Sequence, residues 1–243
     1  MLLYVDDCCA ISETPNEAVL QLDKLFKMQP SSIAPPNTYL GGKVKNMCLM
    51  NMVKAWTFSS SQYVQEAVSN VEKFIQDLDG SMLSTKINAH LSNDYRPELD
   101  SSPELDESDG AYYQSLIGII RWMVDLVRID ICCEVSMMSS HLVLPREGHL
   151  APVFCIFAYF QKHHISALAF DPSYPDVNTY TFSKHHWTNF YGDIKESIPP
   201  DMIEPLIKEV AMHCFLDADH SGEKLTRRSR SGFHYFIADS AIK

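Results

Sequence analysis

The chain opens with an apolar run that ends in two adjacent carboxylates, Asp6 and Asp7, and a second apolar run over residues 8–11 follows at once. Aspartate tolerates turn geometry and both flanks suit strands, so the pattern predicts a β-hairpin with the two acids at its tip. Two acids on a rigid tip repel each other unless a cation lies between them. Mg²⁺ takes oxygen ligands and usually keeps one or two protein carboxylates, so the pair is a candidate metal site. An ordinary acidic turn is the alternative.

The composition permits a packed core but places the charge unevenly. Of the 243 residues, 46% are hydrophobic and 21% are charged, and the formal net charge is −11. A nucleic-acid enzyme normally carries a basic track for phosphates. Residues 94–109 hold seven acids against one arginine and include two prolines, which predicts a mobile, exposed connector. Residues 224–230 are basic, so any nucleic-acid contact is expected to be local.

Targeting and redox features point to a reducing compartment. The apolar start is short and lacks a basic lead, and no apolar run reaches 18 residues, so we expect neither a secretory signal nor a membrane span. Seven cysteines without a CxxC motif argue against a disulfide scaffold or a zinc site. The cytoplasm or the nucleus is the expected location.

Hydrophobic periodicity predicts an α+β protein. Apolar residues at helical spacing indicate helices over residues 15–28, 59–77, 111–127, 130–142 and 150–163, and strand patterns cover 39–44, 47–58, 208–216 and 232–238. Residues 84–109 are predicted to form a polar connector, and residues 171–205 are predicted to be irregular.

Four separated segments carry a family pattern. They are Leu3 to Asp7; Tyr39-Leu40-Gly41; Tyr112 to Gly118 with Arg128-Ile129-Asp130-Ile131, continued by His149 and Tyr159; and Leu216 to Gly222 with Thr226 to Gly232. In this order and spacing they resemble the polymerase polyprotein of copia-type retrotransposons. Two positions depart from that pattern: Ile129 stands where the family usually has proline, and Gly42 replaces a bulkier residue.

The resemblance implies an architecture and a set of roles. Residues 1–58 would be the C-terminal part of a reverse transcriptase palm, residues 59–205 a helical thumb or connection-like region, and residues 206–243 the first strands of a ribonuclease H-like domain. In the family Asp6 and Asp7 help to hold two Mg²⁺ ions, and Asp217 is the first metal-binding acid of the ribonuclease H site. Gly41 would let the backbone approach the primer strand, and Arg227 and Arg228 would lie near the hybrid backbone; a strand-end glycine and a solvated cationic loop are the alternatives.

The resemblance also implies that the chain alone is inactive. The family's third polymerase carboxylate lies upstream of Tyr4, and its further ribonuclease H acids lie downstream of Lys243. The partners of the parent enzyme are an RNA or DNA template-primer and other segments of the polyprotein, and no membrane is involved. Mg²⁺ binding by this chain is expected to be weak or absent. The alternatives are a non-catalytic acidic interaction protein or a degenerate element remnant; a ribonuclease H-type nuclease alone would lack all but one of its acids.

Overall fold

Helices and antiparallel strands occur together in the computed structural model, which describes residues 2–4, 7–11, 14–29, 32–92, 94–173, 188–193, 200–202, 212–237 and 240–242. In chain order the elements are β1 (Leu2–Tyr4), β2 (Asp7–Cys9), α1 (Pro15–Leu25), β3 (Thr38–Tyr39), β4 (Gly42–Cys48), β5 (Lys54–Ser59), α2 (Ser61–Asp79), α3 (Glu107–Leu126), α4 (Cys132–Ser139), α5 (Glu147–Lys162), β6 (Leu168–Phe170), α6 (Thr188–Tyr191), β7 (Met212–Ala218), β8 (Ser231–Ile237) and β9 (Ser240–Ile242). Short 3₁₀ helices cover Pro97–Leu99 and Ile129–Ile131. This mixture is compatible with an α+β class and is not specific to a polymerase.

Helices α2, α3, α4 and α5 enclose the hydrophobic core. On α2 the buried residues recur at helical spacing, which is why this segment folds as an amphipathic helix against its neighbours. Helix α3 is more deeply buried, with eight buried residues among its 20 against five among the 19 of α2. The core side chains include Val64, Val68, Val71, Tyr113, Leu116, Ile117, Ile120, Met123, Ile131, Val153, Ile156, Phe157 and Phe160. None of the described helices combines the length and apolarity needed to cross a membrane.

The described strands form three antiparallel sheets. Their orders are β1-β2, β3-β4-β5-β6 and β7-β8-β9. The single strand predicted over residues 47–58 is wrong, because the chain reverses between Cys48 and Lys54 and the two halves belong to β4 and β5. The Leu49 N–H donates to the Val53 carbonyl at 2.8 Å, and Met52 adopts a positive φ of 66°.

The acidic segment 94–109 is exposed over most of its length, as its composition predicts, but it is also anchored to the helical region. Pro97 is buried, and Tyr95 and Leu105 pack against the helical core. Its acids also serve local structure. The Asp106 carboxylate accepts the Asp109 N–H at 2.9 Å and caps α3, which therefore begins at Glu107, four residues before the predicted start.

Helix α1 keeps the amphipathic pattern predicted for residues 15–28, yet it has no fully buried residue. Leu20 is 52% exposed, Leu25 77% and Phe26 70%. The apolar side of this helix is therefore largely open to solvent among the described residues.

Gly42 is required by packing. A Cβ built at this position would lie 2.3 Å from Cζ of Phe58, the residue that pairs across the sheet with Val44. The Phe58 ring occupies the space of a side chain at residue 42. This packing explains why residue 42 is glycine in this chain, whereas the family that the sequence resembles has a bulkier residue at that position.

We predict that Gly42→Ala lowers the free energy of unfolding by about 1–3 kcal/mol, because the methyl group forces the Phe58 ring out of its place. Chemical denaturation measures the change. Gly232→Ala is the matched control on a strand, since a Cβ there meets no atom within 4 Å, and its effect should stay within about 0.5 kcal/mol.

The clash also predicts that Gly42→Ala and Phe58→Leu are not additive, because the smaller side chain makes room for the methyl group. Strict additivity of the two substitutions would contradict the packing argument.

Candidate functional site

The opening hairpin forms, but its register is shifted by one residue from the predicted one, in which Asp6 and Asp7 make the turn. Leu2 pairs with Cys9, Leu3 with Cys8, and Tyr4 with Asp7. Asp7 is thus the first residue of β2 rather than part of the turn, and it is exposed. Asp6 lies outside the described residues, so the predicted convergence of the two carboxylates stays a prediction. The hairpin contacts the helical region through Tyr4, whose ring centroid lies 6.0 Å from that of Trp122 on α3.

The Leu40-Gly41 turn lies directly beside Asp7. Tyr39 pairs with Gly42, and the two residues between them have φ values of +50° and +78°. Two positive φ values are typical of a type I′ hairpin turn. The Leu40 N–H donates to Oδ2 of Asp7 at 3.1 Å across 33 residues of sequence. Two of the segments that carry the resemblance are therefore in contact.

The environment of Tyr39 provides a second sign of this contact. Burial raises the pKa of the Tyr39 hydroxyl, and the charges of Cys9, Asp7 and Cys8 raise it further. Gly41, by contrast, faces open space, since a Cβ at that position would meet no atom within 4 Å. The turn geometry requires the positive φ, and the backbone at Gly41 remains accessible from outside.

Asp217 lies on β7, as predicted, and pairs with Gly232 of the antiparallel strand β8. The expected central position is wrong within the described part of the chain, where β7 is an edge strand and β8 is central. Asp217 is exposed, and so is Leu216 on the opposite face, at 76%. Neither face of the strand is covered at this point.

The basic turn folds back onto the helical region. The Arg227 N–H donates to the Glu223 carbonyl at 3.0 Å, and Arg227 is exposed with a φ of +60°. The Lys224 N–H donates to Oε1 of Glu98 at 3.1 Å. Arg228 lines a cavity between the turn and the helices. The two arginines predicted to contact nucleic acid therefore lie in different surroundings.

The described residues do not assemble a metal centre. Within them no group of three or more histidine, cysteine or acidic side chains is placed to hold an ion. Asp7 and Asp217 belong to different sheets. Of the acidic pair Asp6 and Asp7, only Asp7 lies within the described residues. These residues by themselves do not fit the two-metal arrangement of the resembling family.

The third segment of the resemblance serves the core. The Arg128 guanidinium is fully buried and donates to both carboxylate oxygens of Asp130, at 2.9 and 2.7 Å. It also donates to the His163 carbonyl at 2.8 Å and lies 4.3 Å from the Phe160 ring centroid. The fully buried Tyr113 donates its hydroxyl to the Met138 carbonyl at 2.9 Å. Arg128 and Asp130 thus form an ion pair at the end of α3.

Comparison of the chain with protein-family models, curated proteins and solved structures gave no match. The resemblance to copia-type polyproteins therefore rests on the four sequence segments alone.

We predict that Arg128→Leu lowers the free energy of unfolding by about 3 kcal/mol, because it removes a bidentate ion pair and a carbonyl contact from the interior. Arg121→Leu is the control, since Arg121 is exposed on α3, and its effect should stay within about 0.5 kcal/mol. Equal effects of the two substitutions in urea denaturation would contradict a structural role for Arg128.

The same pair predicts a pH dependence. Burial raises the pKa of Asp130, but the hydrogen bonds and charge of Arg128 outweigh it, so the pKa lies below its usual value. A depressed pKa gives stability that is present above pH ~4 and is lost as the pH falls through the folded-state pKa. The stability of Arg128→Leu should therefore fall less steeply in acid; an unchanged slope would contradict this.

Proposed function

We propose that the chain is the C-terminal part of a copia-type reverse transcriptase joined to the first strands of its ribonuclease H domain. The parent activity would be RNA- and DNA-templated DNA synthesis with cleavage of the RNA strand of a hybrid. Its partners would be a template-primer and other segments of the polyprotein. The four ordered segments support this proposal, and the hydrogen bond from Leu40 to Asp7 carries it.

That hydrogen bond matters because the proposal needs a primer end beside the acidic hairpin. A turn with accessible backbone at Gly41 lies next to the carboxylate of Asp7. In the parent enzyme, Mg²⁺ held by the acids would activate the primer 3′-hydroxyl and neutralise the triphosphate. Here Asp7 would accept hydrogen bonds and attract the cation, while the turn at Gly41 would position the strand.

The ribonuclease H assignment has separate support. Asp217 extends from a strand that pairs with β8 in the register expected for two strands joined by the basic turn. The exposed Arg227 is free to meet a phosphate backbone from solvent. A single acid at this position does not complete a hydrolytic site.

A different class of function has its own observation in favour. Helix α1 and the residue that follows it expose three large apolar side chains, Leu20, Leu25 and Phe26. Together with the net charge of −11, this exposure fits a non-catalytic interaction protein. In that case Asp6 and Asp7 serve only the opening hairpin and need not bind a cation.

Mg²⁺ titration followed by amide NMR of the full chain separates the two proposals. Because the Leu40 N–H is bonded to Asp7, we predict that its resonance moves saturably with Mg²⁺ and that Asp6→Asn/Asp7→Asn abolishes the shift. Asp77→Asn, an exposed acid on α2, should leave the shift intact. No movement at Leu40, or movement that the double substitution preserves, would favour the interaction protein.

We further predict that the 243 residues alone neither extend a primer on an RNA template nor cleave an RNA–DNA hybrid, because each site has too few acids. Template-dependent incorporation that disappears in Asp6→Asn would refute the first expectation. Hybrid cleavage lost in Asp217→Asn but kept in Asp6→Asn would refute the second and restore a nuclease function.

A further inference from the structure

We propose that the cavity between the basic turn and the helical region binds a nucleotide through its phosphate group. The cavity has a volume of about 500 Å³, which lies within the usual range for sites of small ligands. It is separate from Asp7 and Asp217, neither of which lines it. The inference goes beyond the proposed function and does not depend on it.

The two walls of the cavity come from distant parts of the sequence. The 3₁₀ helix Pro97–Leu99, the residues that follow α4 and the start of α5 form one wall, and residues 223–230 form the other. The hydrogen bond from Lys224 to Glu98 joins the walls at 3.1 Å. This contact gives the cavity a defined width, because both of its partners belong to short, locally hydrogen-bonded segments.

Arg228 and Arg230 supply positive charge and form no direct ion pair with a described carboxylate; the charge of Arg230 contributes to lowering the pKa of the nearby Glu223. Both line the cavity, and neither guanidinium lies within 4 Å of a carboxylate oxygen in the described part of the chain. The third cavity arginine is Arg146, which is already engaged by the Ser102 carbonyl at 2.5 Å and by Glu104 at 3.4 Å. Two arginines thus remain available for a phosphate, which the planar guanidinium binds with paired hydrogen bonds.

The three acids of the lining accept hydrogen bonds from the walls themselves. Glu98 accepts the Lys224 N–H, and Asp100 accepts the Ser102 N–H at 2.9 Å. Glu223 accepts the Leu225 N–H at 3.0 Å and also the amide and hydroxyl of Thr226, and these bonds hold its pKa below the usual value. Their oxygens stabilise the backbone of the walls, which reduces their competition for the two free guanidinium groups.

The half-buried ring of His141 provides a surface for a base. The buried ring of His149 lies behind it, 4.4 Å away between centroids and tilted by 43°, and both residues line the cavity. Nδ1 of His149 accepts the Arg146 N–H at 3.1 Å, and its other ring nitrogen lies 3.0 Å from the Pro97 carbonyl, so the ring is held in place. Burial lowers the pKa of His141, and His149 and Arg230 lower it further. An imidazole ring can stack on a base of any sequence.

The combination of guanidinium groups and a stacking surface specifies the ligand class. Inorganic phosphate would use the arginines alone, and an uncharged nucleoside would use the rings alone. A nucleotide uses both, either free in solution or as the end of a single strand.

Calorimetric titration of the full chain with AMP, adenosine, inorganic phosphate and a 5′-phosphorylated single-stranded pentanucleotide tests the inference. AMP should bind more tightly than adenosine or phosphate. Arg228→Gln/Arg230→Gln should weaken AMP binding at least about tenfold, as expected for the loss of charge-assisted hydrogen bonds. Lys224→Gln is the matched control, because its side chain carries the same charge in the same turn but does not line the cavity.

The double substitution should leave the fold intact, because Arg230 pairs with Asp219 through its own backbone carbonyl. His141→Ala offers an independent measurement: it should weaken AMP binding and leave phosphate binding unchanged. If the pentanucleotide binds more tightly than AMP and with the same dependence on the two arginines, the result would support the proposed site and identify the end of a single strand as its ligand. No saturable binding of either nucleotide ligand, or equal weakening by Lys224→Gln, would overturn the proposal.

Discussion

The buried ion pair between Arg128 and Asp130 is the interaction on which the helical region depends. A guanidinium with no solvent exposure is costly unless its donors are satisfied. Here Asp130 and the His163 carbonyl accept three hydrogen bonds, and aromatic rings cover the flat face of the group. The hydrogen bond to His163 therefore fixes the end of α3 against the end of α5. If the two ends moved apart, the buried guanidinium would lose this carbonyl and the cover of the Phe160 ring.

The consequences of that anchor extend to the candidate site. The chain leaves α5 immediately after His163 and forms β6, which pairs with β5, and the Ser59 hydroxyl donates to the Ser166 carbonyl at 2.8 Å. Strand β5 pairs with β4, and β4 pairs with β3, which leads into the turn at Leu40 and Gly41. The same turn contacts Asp7. A continuous set of hydrogen-bonded elements thus connects the core motif around Arg128 with the acidic hairpin.

Local patterns predicted the helices and hairpins well because their physical causes are local. Helical spacing identified α2, α3 and α5, and the turn composition between two apolar runs identified the antiparallel pairing of the strand that holds Asp217 with the strand that follows the basic turn. The partnership of β5 with β6 joins residues more than 100 apart, and no local signal reveals it. It also means that one sheet crosses the boundary that we placed at residue 58.

The acidic segment and the cavity show where composition misleads. The density of acids around Asp106 suggested repulsion and mobility, whereas the structure uses that carboxylate as a helix cap. Asp130 is a sequence neighbour of Arg128, but the burial of the guanidinium depends on the end of α5, 35 residues away, which no local pattern reveals. The grouping of His141, Arg146 and Arg230 in one cavity follows from tertiary packing alone.

The central proposal is that Asp6 and Asp7 belong to the acidic hairpin of a polymerase palm. Sequencing the DNA and the transcript on the 5′ side of the Met1 codon tests this claim most directly. If the proposal is right, we expect an in-frame segment that continues the palm and supplies an aspartate on a strand before the acidic hairpin. An upstream sequence with no trace of such a strand, intact or degraded, would contradict it.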